Sequence, residues 1–153
     1  AIVVAFVSKA KKPVASRPAM ARTRQTSPFY AAWVAQARET FEEARKALDA
    51  RDLAALIEAM EASTFRMHAS AMGARPPVLY WKPASLAVIE AVIGLRQEGV
   101  SAGWTMDAGP NVKVLCAADD ALAVADRLAQ TDGVLDTLVC HPGPGLSVEV
   151  KYD

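Results

Sequence analysis

Two period-two runs on either side of one turn constrain this chain most. Val100, Ala102, Trp104 and Met106 alternate with Ser101, Gly103, Thr105 and Asp107, the pattern of a strand with one apolar face. Gly109 and Pro110 break that strand, and Val112, Val114 and Cys116 resume the alternation, which predicts a β-hairpin. The connecting stretch, Thr105 to Asn111, reads TMDAGPN and carries one carboxylate, Asp107, on the side away from Trp104. A carboxylate at a strand end beside glycine is well placed to accept a substrate proton. It is equally suited to a plain turn, because aspartate hydrogen-bonds its own backbone there. The spacing leaves both readings open.

The rest of the chain supplies elements for that hairpin to pack on. Ile2 to Val7 is a continuous apolar run of strand length, followed by the polar segment Ser8 to Pro13. Ser16, Arg17 and Pro18 then look like a helix start, where unpaired first-turn amides, a hydroxyl and a guanidinium would converge as an anion site. A capped helix with a solvated arginine is the plainer alternative. Ser27 and Pro28 predict the start of a second helix, running to about Ala50, with Phe29, Trp33, Ala37, Phe41, Ala44 and Leu48 as its apolar stripe. Asp52 caps a third that Gly73 ends, so the pair reads as an antiparallel helical hairpin whose apolar stripes are core. His68, near its end, reads as a packing residue.

Arg75-Pro76-Pro77 excludes helix and makes the segment through Tyr80 and Trp81 a rigid connector. Pro83 opens a helix with Leu86, Ile89 and Ile93 inward, and Gly99 closes it before the hairpin. Asp119 or Asp120 begins a last helix through Leu122, Ala125, Leu128 and Ala129, ended by Gly133. Thr137 to Cys140 reads as a short strand, Pro142 to Gly145 as a turn, and Leu146 to Val150 as a final strand. This order predicts an α+β fold of the ferredoxin-like, split βαβ type: an antiparallel sheet with helices on one face and an inserted helical hairpin.

With 153 residues, 52% of them hydrophobic, the chain suffices for one globular domain over residues 1–153. Seventeen basic residues balance seventeen acidic ones, which argues against a nucleic-acid partner. The charge is unevenly spread, however. Lys9, Lys11, Lys12, Arg17, Arg22, Arg24 and Arg38 all precede the first carboxylate, Glu39. Cys116 and Cys140 lie in apolar runs without metal-ligand spacing and read as reduced core thiols, which places the protein in the cytoplasm. The opening run is too short to span a membrane. It starts inside a strand without an initiator methionine, and so reads as the continuation of a longer polypeptide.

Taken together, Ser16-Arg17 with Met20, Thr26 to Phe29, Arg66 to Ala69, Pro76-Pro77 with Tyr80, and above all Thr105 to Val112 resemble the C-terminal half of the mevalonate diphosphate decarboxylases, within the GHMP kinase superfamily. The resemblance covers nearly the whole chain. It implies the ATP-dependent, Mg2+-assisted conversion of (R)-mevalonate 5-diphosphate to isopentenyl diphosphate, CO2, ADP and phosphate. It implies Asp107 as the catalytic carboxylate, Arg17 as a substrate-gripping residue, and Ser16 and Met20 at the same substrate site. The family's Gly/Ser-rich phosphate loop has no counterpart here, since Gly143 and Gly145 stand among prolines without a following Lys-Ser/Thr pair. The resemblance therefore implies that ATP is held mainly by an N-terminal half, that this half is a required partner, and that the enzyme is a homodimer. A mevalonate 5-phosphate decarboxylase, or a noncatalytic ferredoxin-like regulatory or dimerisation module, are the competing expectations. The sequence assigns no role to Lys113.

Overall fold

The computed structural model describes residues 1–12, 14–145 and 147–148. Their elements run β1 (Ile2–Phe6), α1 (Ser16–Thr26), α2 (Tyr30–Asp49), α3 (Leu53–Met72), α4 (Pro83–Gln97), β2 (Ala102–Thr105), β3 (Val112–Cys116), α5 (Ala121–Ala129) and β4 (Asp136–Cys140). The four strands form one antiparallel sheet in the order β2-β3-β1-β4. Each long crossover skips one strand: β1 reaches β2 past β3, and β3 reaches β4 past β1. That is the split βαβ arrangement expected from the element order. The anticipated strand over 146–150 falls mainly outside the described residues.

One sheet face carries Val3, Ala5, Val7, Val112, Val114 and Cys116, all buried against Val88, Val92, Leu95, Val124 and Leu128 of α4 and α5. Strict alternation produces this face, because neighbours in register present the same side of the sheet. Of the three α4 residues expected inward, Ile89 alone is buried. Leu86 and Ile93 are exposed, while Ser85, Val88, Ile89, Val92 and Leu95 are buried. Two apolar stripes interleave on this helix, and the Ser85 hydroxyl, drawn to the Pro110 carbonyl at 2.7 Å, turns the other stripe inward.

α4 and α5 cover that one face, and the inserted helical hairpin takes the other. α3 packs across β2 from the opposite side. Gly103 makes this possible, since a Cβ there would lie 2.7 Å from Ile57 Cγ1 and 2.9 Å from Ile57 Cβ. The Thr64 and Thr105 hydroxyls join at 2.8 Å. The outer edge of β2 is also closed by side chains. Glu61 Oε1 accepts the Trp104 N–H at 3.0 Å, the Arg96 Nε–H donates to the Ala102 carbonyl at 2.6 Å, and Arg96 pairs with Glu61. A bare sheet edge is thereby denied to other strands.

Two helix starts illustrate the local chemistry. Asp52 caps α3 as expected, its Oδ1 accepting the Ala55 N–H at 3.0 Å. α2 begins at Tyr30, two residues later than Ser27-Pro28 suggests, and the Ser27 hydroxyl takes the Phe29 N–H at 3.3 Å. The α2 stripe is not core within this chain. Phe29, Phe41 and Leu48 are exposed, and only Thr40 and Ala47 of the helix are buried, because α2 packs chiefly on α3. Its free side faces an apolar groove. Both cysteines are free thiols, Cys116 buried and Cys140 half-buried, and burial pushes the Cys116 thiol pKa up.

Candidate functional site

β2 ends at Thr105, opposite Lys113, so residues 106–111 leave the ladder as a loop of their own. Three side chains hold that loop from behind. His68 of α3 meets the Met106 carbonyl through Nε2 at 3.3 Å. Ser85 of α4 donates its hydroxyl to the Pro110 carbonyl. Asn111 Oδ1 accepts the Val7 and Ser8 N–H groups at 3.0 and 3.1 Å, which ties the loop to the end of β1. Within it the Gly109 N–H bonds the Asp107 carbonyl at 2.7 Å. Asp107 is left pointing outward, its side chain 81% exposed, with Oδ2 2.6 Å from Lys113 Nζ. A turn-capping aspartate would spend its oxygens on neighbouring amides. Among the described residues, this one spends Oδ2 on a lysine and presents the rest to solvent.

The other nominated residues lie at the start of α1. Its N-cap, Ala15, offers no side-chain acceptor, and the first turn holds no acidic residue. The first intrahelical bond runs from the Ala19 N–H to the Ala15 carbonyl, so the Ser16 and Arg17 amides precede the ladder. Those amides, the Ser16 hydroxyl and the Arg17 guanidinium present an electropositive helix end. Ser16, Arg17 and Met20 line a cavity of about 310 Å³ together with Thr23, Tyr80 and Ala108. Ala108 is the residue after Asp107. Met67 lines both this cavity and the larger groove, about 690 Å³, on which Asp107 and Lys113 open. The fold thus brings the hairpin carboxylate and the basic helix start to adjoining hollows, although 90 residues of sequence separate them. Lys12 adds to the basic side, since a Cβ on Gly109 would lie 3.2 Å from its Cε.

The sequence alone gives no sign that His68, Ser85 and Lys113 gather at this loop. The 68–106 contact spans two elements, so no local pattern announces it. His68 is 1% exposed, and its Nδ1 has no hydrogen-bond partner among the described residues. Burial drives its pKa below the ordinary 6.5, against smaller upward pulls from the Met106 carbonyl and the Asp107 charge. The ring is therefore neutral near pH 7, with Nε2 carrying the proton it donates to Met106. Trp81 stands edge-on to it, ring centroids 5.4 Å apart. Tyr80 donates its hydroxyl to the Val14 carbonyl at 3.4 Å, and burial raises its pKa, with Arg22 pulling the other way.

Among the described residues no group of three or more His, Cys, Asp or Glu side chains is placed to hold a metal ion. No helix among them is long and apolar enough to cross a membrane. The donor set around Asp107, one carboxylate paired with a lysine, does not fit a Mg2+ ion, which prefers several oxygen ligands in octahedral array.

Sheet order and crossovers define an antiparallel split βαβ domain with a carboxylate loop beside a basic helix start. The model of the mevalonate 5-diphosphate decarboxylase C-terminal domain matches residues 2–138, and the chain belongs to that family. It is 31% identical over 113 residues to the diphosphomevalonate decarboxylase of Candida albicans, covering 73% of this chain and 31% of that protein. The mevalonate pyrophosphate decarboxylase from Streptococcus pyogenes superposes with a TM-score of 0.85 at 34% identity, over 95% of this chain and 46% of that one. A structure of MDDEF in complex with MVAPP, AMPPCP and magnesium gives 0.81 at 34% identity, over 89% and 42%. The chain thus spans about a third of its curated relative and less than half of these solved structures.

Proposed function

We propose that this chain is the C-terminal domain of an ATP-dependent decarboxylase that converts (R)-mevalonate 5-diphosphate to isopentenyl diphosphate, CO2, ADP and phosphate. One observation carries the reading: the outward Asp107 carboxylate, steered by Lys113, opens beside the hollow lined by Ser16, Arg17 and Met20. Asp107 accepts the proton of the tertiary C3 hydroxyl as its oxygen attacks the γ-phosphoryl group of ATP, releasing ADP. The C3–O bond of the phosphorylated intermediate then breaks and phosphate departs. The bond between the carboxylate carbon and C2 breaks with it, its electron pair forming the C2–C3 double bond as CO2 leaves. Positive character that develops at C3 is stabilised by the nearby carboxylate.

The substrate carries a carboxylate and a diphosphate, and Arg17 suits either group by bidentate hydrogen bonding. Ser16 adds a hydroxyl and an amide, and Met20 an apolar wall. Nothing in this chain resembles a nucleotide phosphate loop, and the charge around Asp107 does not suit Mg2+. We therefore assign ATP and Mg2+ mainly to an N-terminal half, consistent with relatives more than twice as long as this chain. The uncovered Trp33–Phe41 side of α2 borders the same groove as Asp107 and is where that half would bear.

The test joins this chain to an N-terminal half and measures CO2 release with ATP and mevalonate 5-diphosphate, with the 5-monophosphate as a comparison. The joined protein turns over the diphosphate and this chain alone does not. Decarboxylation by the chain alone, or preference for the monophosphate, would overturn the reading.

A further inference from the structure

We infer that His68 and Ser85 are positioning residues that set the aim of Asp107 by gripping the two carbonyls that bracket its loop. The inference rests on Asp107 being the base. His68 reaches the Met106 carbonyl, immediately before Asp107, and Ser85 reaches the Pro110 carbonyl, three residues after it. Both grips come from outside the hairpin, one from α3 and one from α4. Both side chains are almost wholly buried, at 1% and 0% exposed. Among the described residues Asp107 itself is anchored in front only by the Lys113 ammonium, so the backbone behind it must supply the rigidity. A misplacement of about 1 Å at a base costs on the order of 100-fold in rate.

The chemistry of each grip is specific. A carbonyl only accepts, so His68 must present Nε2–H, and its buried Nδ1 makes the neutral tautomer the stable one. The Ser85 hydroxyl donates to Pro110 while accepting the Lys82 N–H at 3.2 Å, which fixes its rotor. Proline has no N–H, so the Pro110 end of the loop is held through its carbonyl. A side chain that merely filled space at 68 would need no donor there.

That difference makes the inference testable on the complete enzyme. Gln at 68 keeps a donor near the position of Nε2, whereas Phe keeps the ring and its packing but donates nothing. His68→Gln should retain kcat within about 3-fold, while His68→Phe and Ser85→Ala should lose roughly 10- to 100-fold in kcat with KM little changed. Hydrogen exchange of the Gly109, Val7 and Ser8 amides, read without substrate, should quicken in His68→Phe and Ser85→Ala but not in His68→Gln. Loss of kcat that instead follows the melting temperatures of the variants would reduce both residues to packing and overturn the inference. Unchanged amide exchange in His68→Phe would overturn it too, and that readout stands even if the reaction proves to be another one.

Discussion

Lys113 Nζ sits 2.6 Å from Asp107 Oδ2 across the mouth of the hairpin, where Lys113 closes the ladder opposite Thr105 and Asp107 lies two residues past it. Register places it there. Lys113 shares the sheet face of Thr105, so its stem, half-buried in the groove, aims the ammonium at the loop rather than at solvent. An exposed pair of this kind adds little to stability. Its consequence is directional: one carboxylate oxygen is held and the other left free.

Asp107→Asn should therefore reduce kcat of the completed enzyme by several orders of magnitude, with thermal stability and KM nearly unchanged. Steady-state kinetics and a melting curve on the same sample check this. A variant with near-normal turnover would remove Asp107 as the base and favour a noncatalytic domain. Lys113→Met keeps the stem and loses the ammonium, and should lower kcat by about 10-fold through a less well-aimed carboxylate.

Arg17 stands exposed at an uncapped helix start with no acidic residue in its first turn. Arg17→Met should raise the KM for the diphosphate substrate by roughly 10- to 100-fold, because a bidentate partner of an anion is lost from an electropositive helix end. Arg17→Lys should recover only part of that loss. Titrating the substrate against all three forms distinguishes a grip on the substrate from a solvated arginine, which would show no change.

The buried His68 gives stability a pH dependence with a definite sign. Its folded pKa lies below the ordinary 6.5, so between those two values the unfolded chain binds a proton that the folded chain refuses. Stability falls as pH drops below about 6.5 and stops falling on this account once His68 protonates in the folded state; above 6.5 it adds no slope. Urea midpoints measured from pH 8 to 5 should show this decline, and His68→Gln should lose it. An identical slope in the variant would place the titration elsewhere.

Gly103 is where α3 comes down on the sheet. Gly103→Ala sets a methyl group into the Ile57 side chain and should destabilise by about 1–3 kcal/mol. Ile57→Ala vacates that space, so the double variant should be more stable than the sum of the two single losses implies. Strict additivity in denaturant unfolding would mean that the two residues do not meet.

The elements themselves were legible along the chain. A continuous apolar run marked β1, period-two alternation marked β2 and β3, Asp52 and Pro83 marked helix starts, and the TMDAGPN turn offered a carboxylate open to a catalytic or a plain turn role. These are local signals, carried by residues within one turn or one strand of each other. Which apolar stripe of α4 turns inward was not local, because a hydroxyl on the helix is committed to a carbonyl 25 residues away. Nor was the exposure of Phe41 and Leu48, since amphipathicity shows that a face is apolar without showing that anything covers it.

By itself, then, the sequence determined the strands, the helices and the two candidate groups, Asp107 and Ser16-Arg17, because backbone preference and side-chain chemistry are properties of short segments. Only the tertiary structure decided that these groups open on adjoining hollows sharing Met67, that Lys113 holds one oxygen of Asp107, and that His68 and Ser85 stand behind its loop. Those contacts join residues far apart in the chain, and sheet order with helix docking brings them together.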